Sequence, residues 1–155
     1  MLRALALILC LLPLPAPAQE APVLATYYTD SGSLPPEYAW ETNVTIHEDG
    51  RLTLRRCTGY ETEGPACKDR KAKVVPAALD AIREAALASG LADTPAKLTD
   101  YPQVGGSVTG GAVTLDGVKI TLPSDPDASD AARVAAVLRV VHAAIPPRFN
   151  RFLTD

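Results

Sequence analysis

The sequence predicts an α+β domain: a mostly antiparallel sheet with two amphipathic helices packed on one face. Three observations carry this. Apolar and polar residues alternate after Trp40 and on both sides of Asp116-Gly117, the period of a half-buried strand. Apolar residues recur at helical spacing around Ile82 and again around Val137. The order along the chain is strands, helix, strands, helix, with no repeats.

The elements follow in order. Residues 23–29 are rich in strand formers, and Asp30-Ser31-Gly32-Ser33-Leu34-Pro35-Pro36 is a loop by composition. Trp40, Thr42, Val44 and Ile46 share one face of the next strand, and Glu41, Asn43, Thr45 and His47 share the other. Glu48-Asp49-Gly50 supplies a turn, and residues 51–58 resume as a strand with Leu52 and Leu54 on one face. After a polar loop containing Gly59, Gly64 and Pro65, residues 67–75 read as a further strand, strongest at 72–75. Pro76 suits the first turn of a helix, where its missing N–H is no loss. Leu79, Ile82, Ala86 and Leu87 form its expected apolar face, and Gly90 is placed to end it. Residues 91–102 read as irregular. Gly105-Gly106 and Gly110-Gly111 then flank a short Ser107-Val108-Thr109 piece. Residues 112–122 form a hairpin about Asp116-Gly117, the strongest short-range hairpin signal there is. Asp127 or Ser129 is expected to cap the second helix. Its stripe is Val134, Val137, Leu138, Val141 and Ile145, and Pro146-Pro147 stops it.

The first eighteen residues have the form of a secretory signal peptide. Arg3 gives a basic start, residues 4–12 are unbroken apolar, and Ala16-Pro17-Ala18 offers a small-residue cleavage site. The run is shorter than the about 20 residues a bilayer span needs. Cys10 follows Leu9 in mid-run, not the small residue that lipid attachment requires, and is expected to be discarded. The expected organisation is a signal peptide at 1–18, a single domain at 19–147 and a C-terminal tail at 148–155. The alanine- and proline-rich signal favours the periplasm over the extracellular space. Cys57 and Cys67 then remain, and an isolated pair in an oxidising compartment reads as a disulfide. Nine intervening residues do not suit a redox-active pair, whose cysteines usually stand two residues apart.

The chain has a formal net charge of −3, and residues 1–18 hold one basic and no acidic side chain. The mature protein is therefore mildly acidic, with no overall field to attract nucleic acid or an anionic membrane. No second apolar run of membrane length follows, so stable membrane insertion is not expected.

Few catalytic patterns are present. His47 and His142 lie far apart and outside any ligand pattern, so no metal site is expected. Asp125-Pro126-Asp127-Ala128-Ser129-Asp130 begins like a calcium loop, but lacks glycine at the sixth position and glutamate at the twelfth. Gly106-Ser107-Val108-Thr109-Gly110 places its serine one residue off a nucleophile elbow. No phosphate loop exists, and no cofactor is expected. Two surfaces stand out instead. Tyr27, Tyr28, Tyr38 and Trp40 bracket the loop at 31–36 and hold four of the eight aromatic side chains. They pack the first strands, or they present the large contact area and polar handle that binding surfaces favour. In the tail, Phe149, Phe152 and Leu153 fall at i, i+3 and i+4 and are expected to dock on the domain itself.

The layout resembles a known family. The residues that carry the resemblance are the Tyr28-to-Ser33 loop, the Asp-Gly turns, Leu79-Asp80-Ala81-Ile82 with Gly90-Leu91, Val104-Gly105-Gly106 and the final amphipathic helix. This order resembles the emfourin-type inhibitors of thermolysin-like metallopeptidases, small α+β proteins with a Ser-Gly-Gly loop near the start. It is also similar to exported bacterial proteins with Ser-Gly-x-x-Pro-Pro and Val-Gly-Gly elements. The resemblance implies an inhibitory loop at Ser31, Gly32, Ser33 and Leu34, with Ser33 standing where the second glycine would be. The expected function is therefore an exported, non-catalytic binding domain acting through residues 31–40, with Tyr38 and Trp40 as further contacts and a peptidase as partner. The alternatives are a structural or accessory periplasmic protein and, third, an enzyme with an unrecognised site.

Overall fold

The strand-forming runs become one six-stranded sheet. The computed structural model describes residues 20–59, 66–102 and 105–154, so the expected signal peptide lies outside the described residues. The strands are β1 (Val23–Asp30), β2 (Trp40–His47), β3 (Arg51–Thr58), β4 (Cys67–Lys73), β5 (Val108–Leu115) and β6 (Val118–Leu122). The helices are α1 (Pro76–Ala88) and α2 (Ala131–Ala143), with short 3-10 turns at Pro36–Tyr38 and Pro147–Phe152. Strand order is β4-β3-β2-β1-β5-β6, and every neighbouring pair is antiparallel. The α+β class holds, with α1 and α2 packed on each other and against the sheet.

Alternation decides the two faces. Tyr27, Val44, Leu54, Val113 and Ile120 are buried toward the helices, where Leu79, Ile82, Val134, Val137 and Val141 meet them. The outer face carries Asn43, Arg55, Asp69, Lys71 and Thr121, all exposed. A bulge between Val23 and Ala25 lets two consecutive residues, Leu24 and Ala25, enter the core.

Four local expectations are corrected. Leu87 is 66 % exposed, because it stands about 100° further round α1 than Ala86 and leaves the stripe. β4 stops at Lys73, since Val74 turns into the core, bonded to Gly50, and Pro76 already opens α1. Gly110 and Gly111 lie inside β5 instead of before it. The Tyr28 phenol covers Gly110, where a Cβ would come within 2.5 Å of the hydroxyl oxygen. The Thr26 carbonyl leaves the same lack of room at Gly111. Neither Asp127 nor Ser129 is the cap of α2: the position belongs to Asp130, whose carboxylate reaches elsewhere. The Asp127 carboxylate folds the approach by accepting the Ser129 N–H and hydroxyl. The tail docks on the domain. Phe149 and Leu153 belong to the main core, and the Phe152 carbonyl accepts hydrogen bonds from the Thr42 hydroxyl and the Arg56 guanidinium.

Candidate functional site

The registers bring several loops to one end of the sheet. Asp30 faces Glu41 on one side and Val108 on the other, Trp40 faces Thr58, and Cys57 faces Cys67. The β1–β2 loop, the start of the β3–β4 loop and the segment entering β5 are therefore neighbours.

The β1–β2 loop is braced from within. The Ser31 N–H donates to the Trp40 carbonyl at 2.9 Å, and the Trp40 N–H returns a bond to the Ser31 Oγ at 3.1 Å. The Gly32 N–H donates to the Asp30 carboxylate at 2.7 Å, an Asx turn that starts the bend. Gly32 has φ +64°, and a Cβ there would meet the Gly106 carbonyl oxygen at 2.0 Å. Only glycine fits. Further along, the Tyr38 N–H donates to the Pro35 carbonyl, and the Gly59 N–H donates to the Ala39 carbonyl, tying this loop to the next.

The candidate residues thus divide. Ser31 and Trp40 are each 6 % exposed and hold the loop in place. Ser33, Leu34 and Tyr38 are what it presents, with Leu34 38 % and Tyr38 67 % exposed. The Trp40 ring lies under the Arg56 guanidinium at 4.5 Å, while its Nε1 has no hydrogen-bond partner among the described residues. A cavity of about 470 Å³ opens beside the loop, lined by Asp30, Ser31, Gly32, Trp40, Glu41 and Cys57 among others. Asp30 and Glu41 give it an acidic wall suited to a cationic group.

The disulfide is present. Cys57 and Cys67 are directly paired across β3 and β4, with an S–S distance of 2.04 Å and Cα atoms 3.9 Å apart. It forms one rim of the loop end.

The structure also assembles groups that sequence order kept apart. Tyr27 and His142 stack at 5.6 Å, tilted by 53°, beside Thr109 and Arg139 in an open cavity of about 420 Å³. Burial pushes the Tyr27 phenol above its ordinary value, partly offset by the Thr109 hydroxyl, so it stays protonated at neutral pH. His47, at the other end of the sheet, places Nδ1 2.7 Å from the Ala21 carbonyl. The Ser31 Oγ is committed to the Trp40 N–H, and neither histidine is hydrogen-bonded to it. Among the described residues no group of three or more His, Cys, Asp or Glu side chains could hold a metal ion. No helix among them is long and apolar enough to cross a membrane.

A second missed feature is the distribution of charge. Arg51, Arg55 and Arg56 on β3, Lys68, Arg70, Lys71 and Lys73 on β4, and Arg148 and Arg151 beyond α2 hold most of the basic side chains at one edge of an acidic chain. The run Lys68-Asp69-Arg70-Lys71-Ala72-Lys73 carries the signal, which the overall charge averages away. No protein-family model and no curated protein matches the chain.

Proposed function

We propose that this protein is an exported binding domain that presents residues 31–40 to a protein partner, in its most specific form as an inhibitor seated in a peptidase cleft. One observation carries the reading. An exposed Leu34 and Tyr38 ride on a loop whose ends are locked by buried Ser31 and Trp40 and whose bend admits only Gly32. A segment already held in one shape loses less entropy when it enters a cleft. The cross-strand disulfide and the absence of a membrane-crossing helix among the described residues are compatible with export. We place the mature protein in the periplasm on the strength of the leader at residues 1–18.

The test is inhibition of a panel of secreted metallo- and serine peptidases by the mature protein at micromolar concentration. At least one enzyme is expected to be inhibited. Leu34→Ala combined with Tyr38→Ala is expected to weaken that inhibition about tenfold or more, as loss of central contact residues does, without changing the melting temperature. No inhibition across both classes removes the peptidase form of the proposal.

A further inference from the structure

We propose that the open edge of β4 binds an extended acidic segment of a partner protein as an added strand. This surface runs from the disulfide rim of the loop end along the sheet edge, and the inference does not rest on the inhibitor reading.

Strand order leaves β4 at an edge of the sheet. The Val74 N–H donates to the Gly50 carbonyl, which fixes the hydrogen-bonding phase between β3 and β4. Cys57 and Cys67, with Cα atoms 3.9 Å apart, are a close pair of the kind that exchanges no backbone bonds. Both observations agree. Lys68, Arg70 and Ala72 therefore bond to β3, and Cys67, Asp69, Lys71 and Lys73 turn their N–H and C=O groups outward. An extended chain laid along β4 finds a ready row of partners.

Lys68 and Arg70 point to the helix-side face and Lys71 and Lys73 to the outer face, so an incoming strand meets cations on both sides. Lys68, Arg70, Lys71, Arg148 and Arg151 form no ion pair with any carboxylate of the described residues; the ion pairs there use Arg51, Arg83 and Arg133. Beside the edge, Arg56, Lys68, Arg70 and Phe152 line a cavity of about 220 Å³, with the Arg70 guanidinium 4.0 Å from the centre of the Phe152 ring. Basic side chains on an edge strand also keep copies of a protein from pairing. That effect sharpens the choice of partner. A second β4 carries the same net positive charge and is repelled overall, whereas a strand bearing carboxylates at alternate positions is attracted. Diffuse attraction of any polyanion needs no particular backbone geometry, so the open ladder favours a peptide.

The probe is a fluorescein-labelled eight-residue peptide of alternating Glu and Thr, titrated by anisotropy into the full mature protein with its disulfide intact. Two further peptides carry N-methyl groups on one or the other alternate set of backbone nitrogens, and a fourth replaces Glu by Gln. Binding is expected for the Glu peptide and for one of the two N-methylated forms. The other N-methylated form, the Gln peptide and the Lys71→Glu variant should each bind about tenfold more weakly, as loss of a complementary contact predicts. Lys71 is exposed on the outer face, so its replacement leaves the fold intact, and the far-UV circular dichroism of the variant checks this. Equal binding of both N-methylated peptides would show polyanion attraction alone and overturn the proposal. No binding of the Glu peptide at millimolar concentration would overturn it as well.

Discussion

Asp130 shows how one side chain can join three segments. It stands at the start of α2 without capping that helix. One carboxylate oxygen accepts the Lys97 N–H at 2.8 Å, and the other accepts from the Arg133 guanidinium, which also reaches the Ser89 and Thr94 carbonyls. The end of α1, the segment that follows it and the first turn of α2 are thereby held together. The Arg133 hydrogen bond, then the Lys97 N–H, hold the Asp130 carboxyl below its ordinary value near 3.8. A carboxyl whose folded-state pKa is depressed contributes stability above its unfolded value, and that contribution disappears as pH falls through the folded value. Asp130→Asn is therefore expected to lower the melting temperature by a few degrees at neutral pH. The gap between variant and parent should close as pH drops below about 4. Thermal melts across the acid range measure this directly; a gap that stays constant with pH would remove the ionised Asp130 from the explanation.

At the scale of elements, the hairpin of β3 and β4 is the clearest case of sequence reaching structure. Two cysteines ten residues apart, each at the loop end of its strand, became a directly paired cross-strand bridge. The hairpin's backbone bonds remain without it, so the bridge acts mainly on the unfolded chain. Replacing both cysteines by serine is expected to cost about 3 kcal/mol on the chain-entropy account, read as a lower urea midpoint. Hydrogen exchange in β4, at the sheet edge, should rise before that in β1 and β2. Strand ends elsewhere were legible for the same kind of reason: Asp116 and Gly117, both at positive φ, turn β5 into β6 where the Asp-Gly pair stands. What was not legible depended on tertiary neighbours. Gly110 and Gly111 read as flanks of a short piece before the hairpin, because nothing local says that the Tyr28 ring and the Thr26 carbonyl will lie over them within a strand. Composition placed the loop at 31–36, but its cross-bracing from Ser31 to Trp40 needs the β1–β2 register, and the proximity of Tyr27 to His142 needs α2 to cross the sheet.

For the whole molecule, the last residues complete the core. After Pro146 the chain turns back under the sheet, and Phe149 and Leu153 fill the space beside the β2–β3 side of the domain. The i, i+3, i+4 spacing of Phe149, Phe152 and Leu153 points to docking on the domain itself, and Phe149 and Leu153 enter its core. Phe152 stays half-buried, with the Arg70 guanidinium over its ring, which links this plug to the basic edge at β4. Its carbonyl also satisfies the fully buried Thr42 hydroxyl at 2.6 Å and the Arg56 guanidinium at 2.6 Å. Removing residues 148–155 would therefore empty a core site and strand a buried hydroxyl together. Truncating a buried Phe or Leu to alanine costs about 2–5 kcal/mol each, and leaving a buried polar group unpaired costs about 1–3 kcal/mol more. Against a total stability of about 5–15 kcal/mol for an ordinary domain, deletion of the segment is expected to leave little or no folded protein. Phe149→Ala alone should fold, with its stability reduced by about 3–5 kcal/mol. Urea unfolding of both variants distinguishes a plug from an appendage: a deletion variant as stable as the parent would mean that the segment only lies on the surface.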